Sequence, residues 1–231
     1  MRQFLLFLMM IFLALATALN TWASERHYTF EDDKAWEVVT GKWEIKNSEY
    51  HQTKKDAQEA IVLLKKSEGI DTADLESISV KAYDLGTGTW QNIFIVFGHD
   101  GKSDNYYLGG VFVGGRQGWA FDPIATKDNK RGAEILVAPC DPECPPEKWF
   151  DIRIEFKNGE AILSGGETGG KIKEMARHKF GKIQGGRVGL GASQSVVKYK
   201  DFIVAGKGVQ TSVSPQGRIT TTWANIKGAS K

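Results

Sequence analysis

The chain has 231 residues, with 30 Lys and Arg against 28 Asp and Glu for a formal net charge of +2, and 41% of its residues are hydrophobic. That near balance gives no footing for a nucleic acid or an anionic membrane as a generic partner, since both are held by a surplus of cations. Length suits one domain with a real core and lies within the range of single β-sandwiches.

Met1-Arg2-Gln3 carries one positive charge, and Phe4 to Ala18 is an unbroken apolar run that ends in small residues. These are the parts of an export signal, predicted to span residues 1–23 with cleavage after Thr21-Trp22-Ala23. A membrane anchor is the competing use of the run, but a spanning helix needs roughly 20 apolar residues. No Cys follows to take a lipid. The mature protein is therefore expected outside the cytoplasm, secreted to the periplasm or beyond, with no membrane span.

From Ser24 onward period-2 alternation recurs and helical periodicity is scarce. Gln58 to Lys66 would suit a short helix, yet Ala60-Ile61-Val62-Leu63-Leu64 reads equally as a buried strand, and β neighbours favour the strand. Further strands are predicted at 77–85, 92–97, 106–113, 118–121 and 133–138. Phe150-Asp151-Ile152-Arg153-Ile154-Glu155-Phe156 alternates strictly, and Asn158-Gly159 follows as a hairpin turn into Ala161 to Ser164. Strands at 187–192 and 196–204 complete the series. Many short strands divided by glycine-rich turns mean a sandwich or a barrel. Cys140 and Cys144, alone in a proline-studded loop, are expected to form a local disulfide; a zinc or redox role lacks the other ligands and the spacing. Residues 24–206 thus form the domain, and 207–231 a linker and short tail that docks on it, stays loose, or meets a protein partner through Trp223.

Phe30-Glu31-Asp32-Asp33, Trp36, Gly41-Lys42-Trp43-Glu44-Ile45 and Glu49-Tyr50 resemble the opening of concanavalin A-like and laminin-G-like sandwiches. Gly186-Arg187-Val188-Gly189-Leu190-Gly191-Ala192 with Tyr199-Lys200-Asp201-Phe202-Ile203-Val204 resembles their closing strand pair. The resemblance covers about residues 28–205 and implies an all-β jelly-roll sandwich of two antiparallel sheets. It further implies that the first and last strands lie side by side, with Trp36, Trp43, Phe202 and Val204 in the core. Lectins, carbohydrate-binding modules, glycosidases and adhesion modules share this architecture, so it does not choose a function.

Glycosidases of this fold resemble Glu-x-Asp-x-Glu on one strand face. The nearest match is Asp151-Ile152-Arg153-Ile154-Glu155, where the first carboxylate is shorter and a permanent cation sits at the centre. The layout also resembles secreted 3-keto-disaccharide hydrolases, but the Arg expected near Asn92 to Phe97 is missing. Binding is therefore favoured over glycoside hydrolysis, and a polysaccharide or glycan is the expected partner. Trp90, Tyr106 and Trp119 are candidates to stack on sugar rings, with Asn92, Arg116 and Asp122 for hydroxyls and Glu134 beside them. Gly109-Gly110 and Gly114-Gly115 admit a close ligand, or simply strand twist. The resemblance also implies a structural calcium held by Asp201 and the Gly41 carbonyl; the competing role for Asp201 is a cap or salt bridge in its own hairpin.

Overall fold

The computed structural model describes residues 24–86, 91–101, 105–114, 117–125, 135–140 and 144–210. The export signal and the tail from 211 onward lie outside them. In chain order the strands are β1 (Ser24–Tyr28), β2 (Trp36–Thr40), β3 (Trp43–Lys46), β4 (Glu49–Gln52), β5 (Ala60–Leu64), β6 (Leu75–Asp84), β7 (Asn92–His99) and β8 (Asn105–Phe112). They continue as β9 (Gly118–Ala125), β10 (Ile135–Pro139), β11 (Trp149–Lys157), β12 (Glu160–Glu167), β13 (Lys173–Lys179), β14 (Arg187–Ser193) and β15 (Val197–Gly206). Two single 3-10 turns, Lys66–Glu68 and Thr72–Asp74, are the helical structure among the described residues.

The strands form two antiparallel sheets: a first in the order β13-β12-β11-β6-β15-β4-β3, with β1 also on β15, and a second in the order β10-β9-β8-β7-β14-β5-β2. The two closing strands are inserted at the centre of their sheets, β15 between β6 and β4, β14 between β7 and β5. That placement explains why every residue of β14 is buried. It also sets β1 against β15, with Tyr28 opposite Phe202, as the resemblance implied.

Local chemistry accounts for the connections. Asn158 and Gly159 both take positive φ, 54° and 76°, and join β11 to β12 with Lys157 opposite Glu160, the two-residue turn whose twist matches that of the strands. Asn47 and Ser48 do the same between β3 and β4, at φ 55° and 57°. Ala60–Leu64 is a strand, buried at all five positions between β14 and β2. Strand β13 was not legible in sequence: Lys-Glu-Met-Ala-Arg-His-Lys has little β signal. It is an edge strand paired only with β12, and its charges discourage further pairing.

The core lies between the sheets. Trp36 meets Phe202 edge-on at 5.3 Å and lies against Phe30 at 5.3 Å and Tyr28 at 5.7 Å, so the aromatic opening strands and the apolar closing strand seal one end. Cys140 and Cys144 form a disulfide, with Cα atoms 5.6 Å apart. It ties the end of β10 to the approach to β11, and Cys144 is buried against the core.

A second apolar cluster fills the opposite, outer face of the second sheet: Ile61, Leu63, Phe94, Val96, Leu108 and Phe112, each at most 4% exposed. On that face β14 offers Gly189 and Gly191, and a Cβ on Gly191 would meet Val96 at 3.1 Å and Leu108 at 3.7 Å. Side chains from β7 and β8 have closed over the glycine strand.

Candidate functional site

The ligand contacts expected from sequence divide by location. Trp90, Arg116 and Glu134 lie outside the described residues. Asn92, Tyr106 and Asp122 lie on β7, β8 and β9 of the second sheet, Asp122 pairing with Leu108 through the backbone. Asn92 is 2% exposed and its Oδ1 is buried with no hydrogen-bond partner. Tyr106 is buried, stacks on His99 at 4.9 Å and donates its hydroxyl to Glu59.

Trp119 requires correction. Strand alternation sends it inward with Phe121, 1% exposed and edge-on to Phe150 at 6.3 Å. Gly165 makes the space, since a Cβ there would lie 2.2 Å from the indole. At that exposure no flat face of the ring is free for a sugar, although the residue borders a cavity of about 530 Å³ shared with Phe150, Thr168 and Met175. The glycine pair Gly109-Gly110 likewise serves packing. A Cβ on Gly109 would strike Ile154 at 2.6 Å, and one on Gly110 the Ile93 carbonyl at 1.9 Å.

The acidic strand is a solvated face. Arg153 donates to Glu155 at 3.1 Å, with both side chains near half exposed. Glu155 borders an open cleft of about 770 Å³ together with Arg153, Glu25 and Asp74, and Asp151 is not among its lining residues. Asp151 pairs across to Lys81 on β6.

Asp201 takes φ 55° at a bulge where β15 changes register, and Lys81 donates to its carboxylate at 2.7 Å. The ion pair thus crosses to β6 instead of staying in the hairpin of Asp201. Among the described residues no group of three or more His, Cys, Asp or Glu is arranged for a metal ion. Calcium at Asp201 would first have to displace an ammonium group.

An aromatic platform missed in sequence occupies the outer face of the first sheet. Val80 and Ala82 point into the core, so alternation turns Lys81 and Tyr83 outward; Phe150 and Ile152 point in, so Trp149 and Asp151 turn outward. Register sets Trp149 directly opposite Tyr83, and their ring centroids are 5.4 Å apart. On the other side of Tyr83 stands Lys198, and two residues along lies Lys200, opposite Lys81. Lys198 Nζ sits 5.0 Å from the Tyr83 centroid and Lys200 Nζ 4.0 Å from that of Trp149. All four side chains are partly exposed. The alternation Lys81-Ala82-Tyr83 and Lys198-Tyr199-Lys200 was readable; that β6 lies between β11 and β15 was not.

Known structures share this fold. A carbohydrate-binding module, CBM66 from Bacillus subtilis, superposes with a TM-score of 0.60 at 12% identity, over 74% of this chain and 95% of that one. The chain has the concanavalin A-like sandwich fold. The exoplasmic domain of VIP36, in a form bound to Ca2+ and Man3GlcNAc, matches with a TM-score of 0.60 at 9% identity, over 84% and 93% of the two chains. The Crh5 transglycosylase in complex with NAG matches at 0.55 and 12%, over 80% and 84%. No family model and no curated protein sequence matches the chain. Identities this low establish the sandwich and leave its activity to the site.

Proposed function

We propose that the chain is an exported, non-catalytic carbohydrate-binding module: residues 1–23 direct export, residues 24–206 form the binding sandwich, and the Tyr83–Trp149 pair is its sugar platform. The observation that carries this is the pair itself, two adjacent, partly exposed rings tilted 56° to one another on the outer face of a sheet. Such rings offer a sugar's C–H faces an apolar surface with little loss of side-chain freedom. Sandwiches among the structural neighbours include a carbohydrate-binding module and the VIP36 exoplasmic domain in its Man3GlcNAc-bound form, which agrees with binding without requiring it.

A second location is favoured by one observation, the unpartnered Asn92 Oδ1. There Asn92 and Asp122, with Trp90, Arg116 and Glu134, would meet the ligand on the second sheet. Titration of a polysaccharide panel by calorimetry separates the two. Trp149→Ala is expected to weaken binding ~10-fold or more, the effect of losing a central aromatic contact, while Asn92→Ala leaves it within about twofold. The reverse pattern would move the site to the second sheet, and binding to no saccharide would remove the function.

A further inference from the structure

We infer that the Tyr83–Trp149 platform selects acidic saccharides, chains bearing carboxylate or sulfate groups, through Lys198 and Lys200. This deepens, and rests on, the binding function proposed above. Cations flanking the pair are engaged elsewhere: Lys81 pairs with Asp201 at 2.7 Å, Arg153 with Glu155 at 3.0 Å, and Lys148, the residue before Trp149, with Glu167 at 2.9 Å. Lys198 and Lys200 make no ion pair among the described residues, and they are the two whose ammonium groups lie over the aromatic rings.

Two residues apart on one strand, their backbones are separated by about 7 Å along β15. A sugar unit stacked on Trp149 displaces Lys200 from the ring face, and the freed ammonium needs a new partner. An anionic group at the edge of the stacked unit supplies it, and a second on the same chain meets Lys198. Charge-assisted hydrogen bonds of this kind are the strong ones. A neutral saccharide leaves both ammoniums without compensation for the lost ring contact. Because the chain is nearly neutral overall, the preference comes from this patch and not from a general attraction to anions.

The experiment titrates the full chain with polygalacturonate, its methyl ester, dextran sulfate, dextran and single-stranded DNA. The charged member of at least one saccharide pair is expected to bind ~10-fold tighter than its neutral counterpart. In the Lys198→Gln/Lys200→Gln variant that ratio should fall to about twofold, and in Lys198→Arg/Lys200→Arg it should be retained. Both lysines are partly exposed, so an unchanged melting curve serves as the folding control. Equal binding of charged and neutral members, still abolished by Trp149→Ala, would overturn the anionic preference and leave the binding function intact. Binding of none of the saccharides would strike the binding function itself. DNA bound as tightly as the acidic saccharides would overturn saccharide selectivity.

Discussion

Gly165 and Trp119 hold each other in place. With any side chain at 165 the indole must move, and it is 1% exposed among packed neighbours. Gly165→Ala is therefore expected to destabilise the fold by about 1–3 kcal/mol, the usual cost of overpacking. Chemical denaturation would measure it, and an unchanged midpoint would contradict the packing. Trp119→Ala should cost about 3–5 kcal/mol, so it reports on folding before it reports on any ligand. Asp84 is a different kind of buried residue. It accepts from the Gly86 amide at 2.6 Å and from the Ser195 hydroxyl, clasping the end of β6 to the β14–β15 turn. Burial still raises its pKa above the ordinary 3.8. Because the folded pKa lies above the unfolded one, the native state binds the proton more tightly. Stability falls as pH rises from about 3.8 through the folded value. Asp84→Asn should flatten that fall, so that the variant gains on the parent as pH rises from below about 3.8 in parallel melts. A difference that stays constant as pH rises would show that the carboxylate does not titrate there.

Among elements, the legible ones were those whose local chemistry and tertiary role agree. The β11–β12 hairpin has strict alternation and an Asn-Gly turn, and Ile152 and Ile154 do point inward while Arg153 is exposed. Strand β13 failed because an edge strand needs no apolar face, and its charges are the edge's protection. Two of the binding candidates are buried for another reason. Trp119 and Tyr106 have the right side chains for a sugar, but alternation against unseen partners decides which face a ring occupies, and sequence does not show the partners. Trp149 passed unnoticed because it sits next to Phe150, and one of two adjacent aromatics must face out. The Cys140–Cys144 bridge was legible from a close cysteine pair in a chain expected to be exported. Closing so short a loop, it should contribute about 2 kcal/mol. A Cys140→Ser/Cys144→Ser double variant compared by denaturation tests this, and a loss near zero would mark the bridge as dispensable.

At the scale of the whole molecule, the two faces of the sandwich have different uses. The second sheet has closed its outer face with Phe94, Val96 and Leu108 over the glycines of β14, which leaves little flat surface there. The first sheet keeps its outer face polar and places one aromatic pair on it. Its lysine Lys81 engages Asp201, so chelation of divalent ions is expected to leave the melting temperature unchanged. A fall on adding chelator, reversed by calcium, would show that a metal does compete for Asp201. The jelly-roll order was implied by the opening and closing segments, and the insertion of β14 and β15 at the sheet centres accounts for the apolar character of those segments. What remained invisible was the juxtaposition of Tyr83 with Trp149, since it depends on pairing between strands some 65 residues apart, beyond any local signal. A structure of the protein with the tightest-binding saccharide of the panel tests the account most directly. A sugar ring lying on Trp149, beside Tyr83 and within reach of Lys200, is the predicted result; a saccharide seated on the second sheet around Asn92 would contradict it.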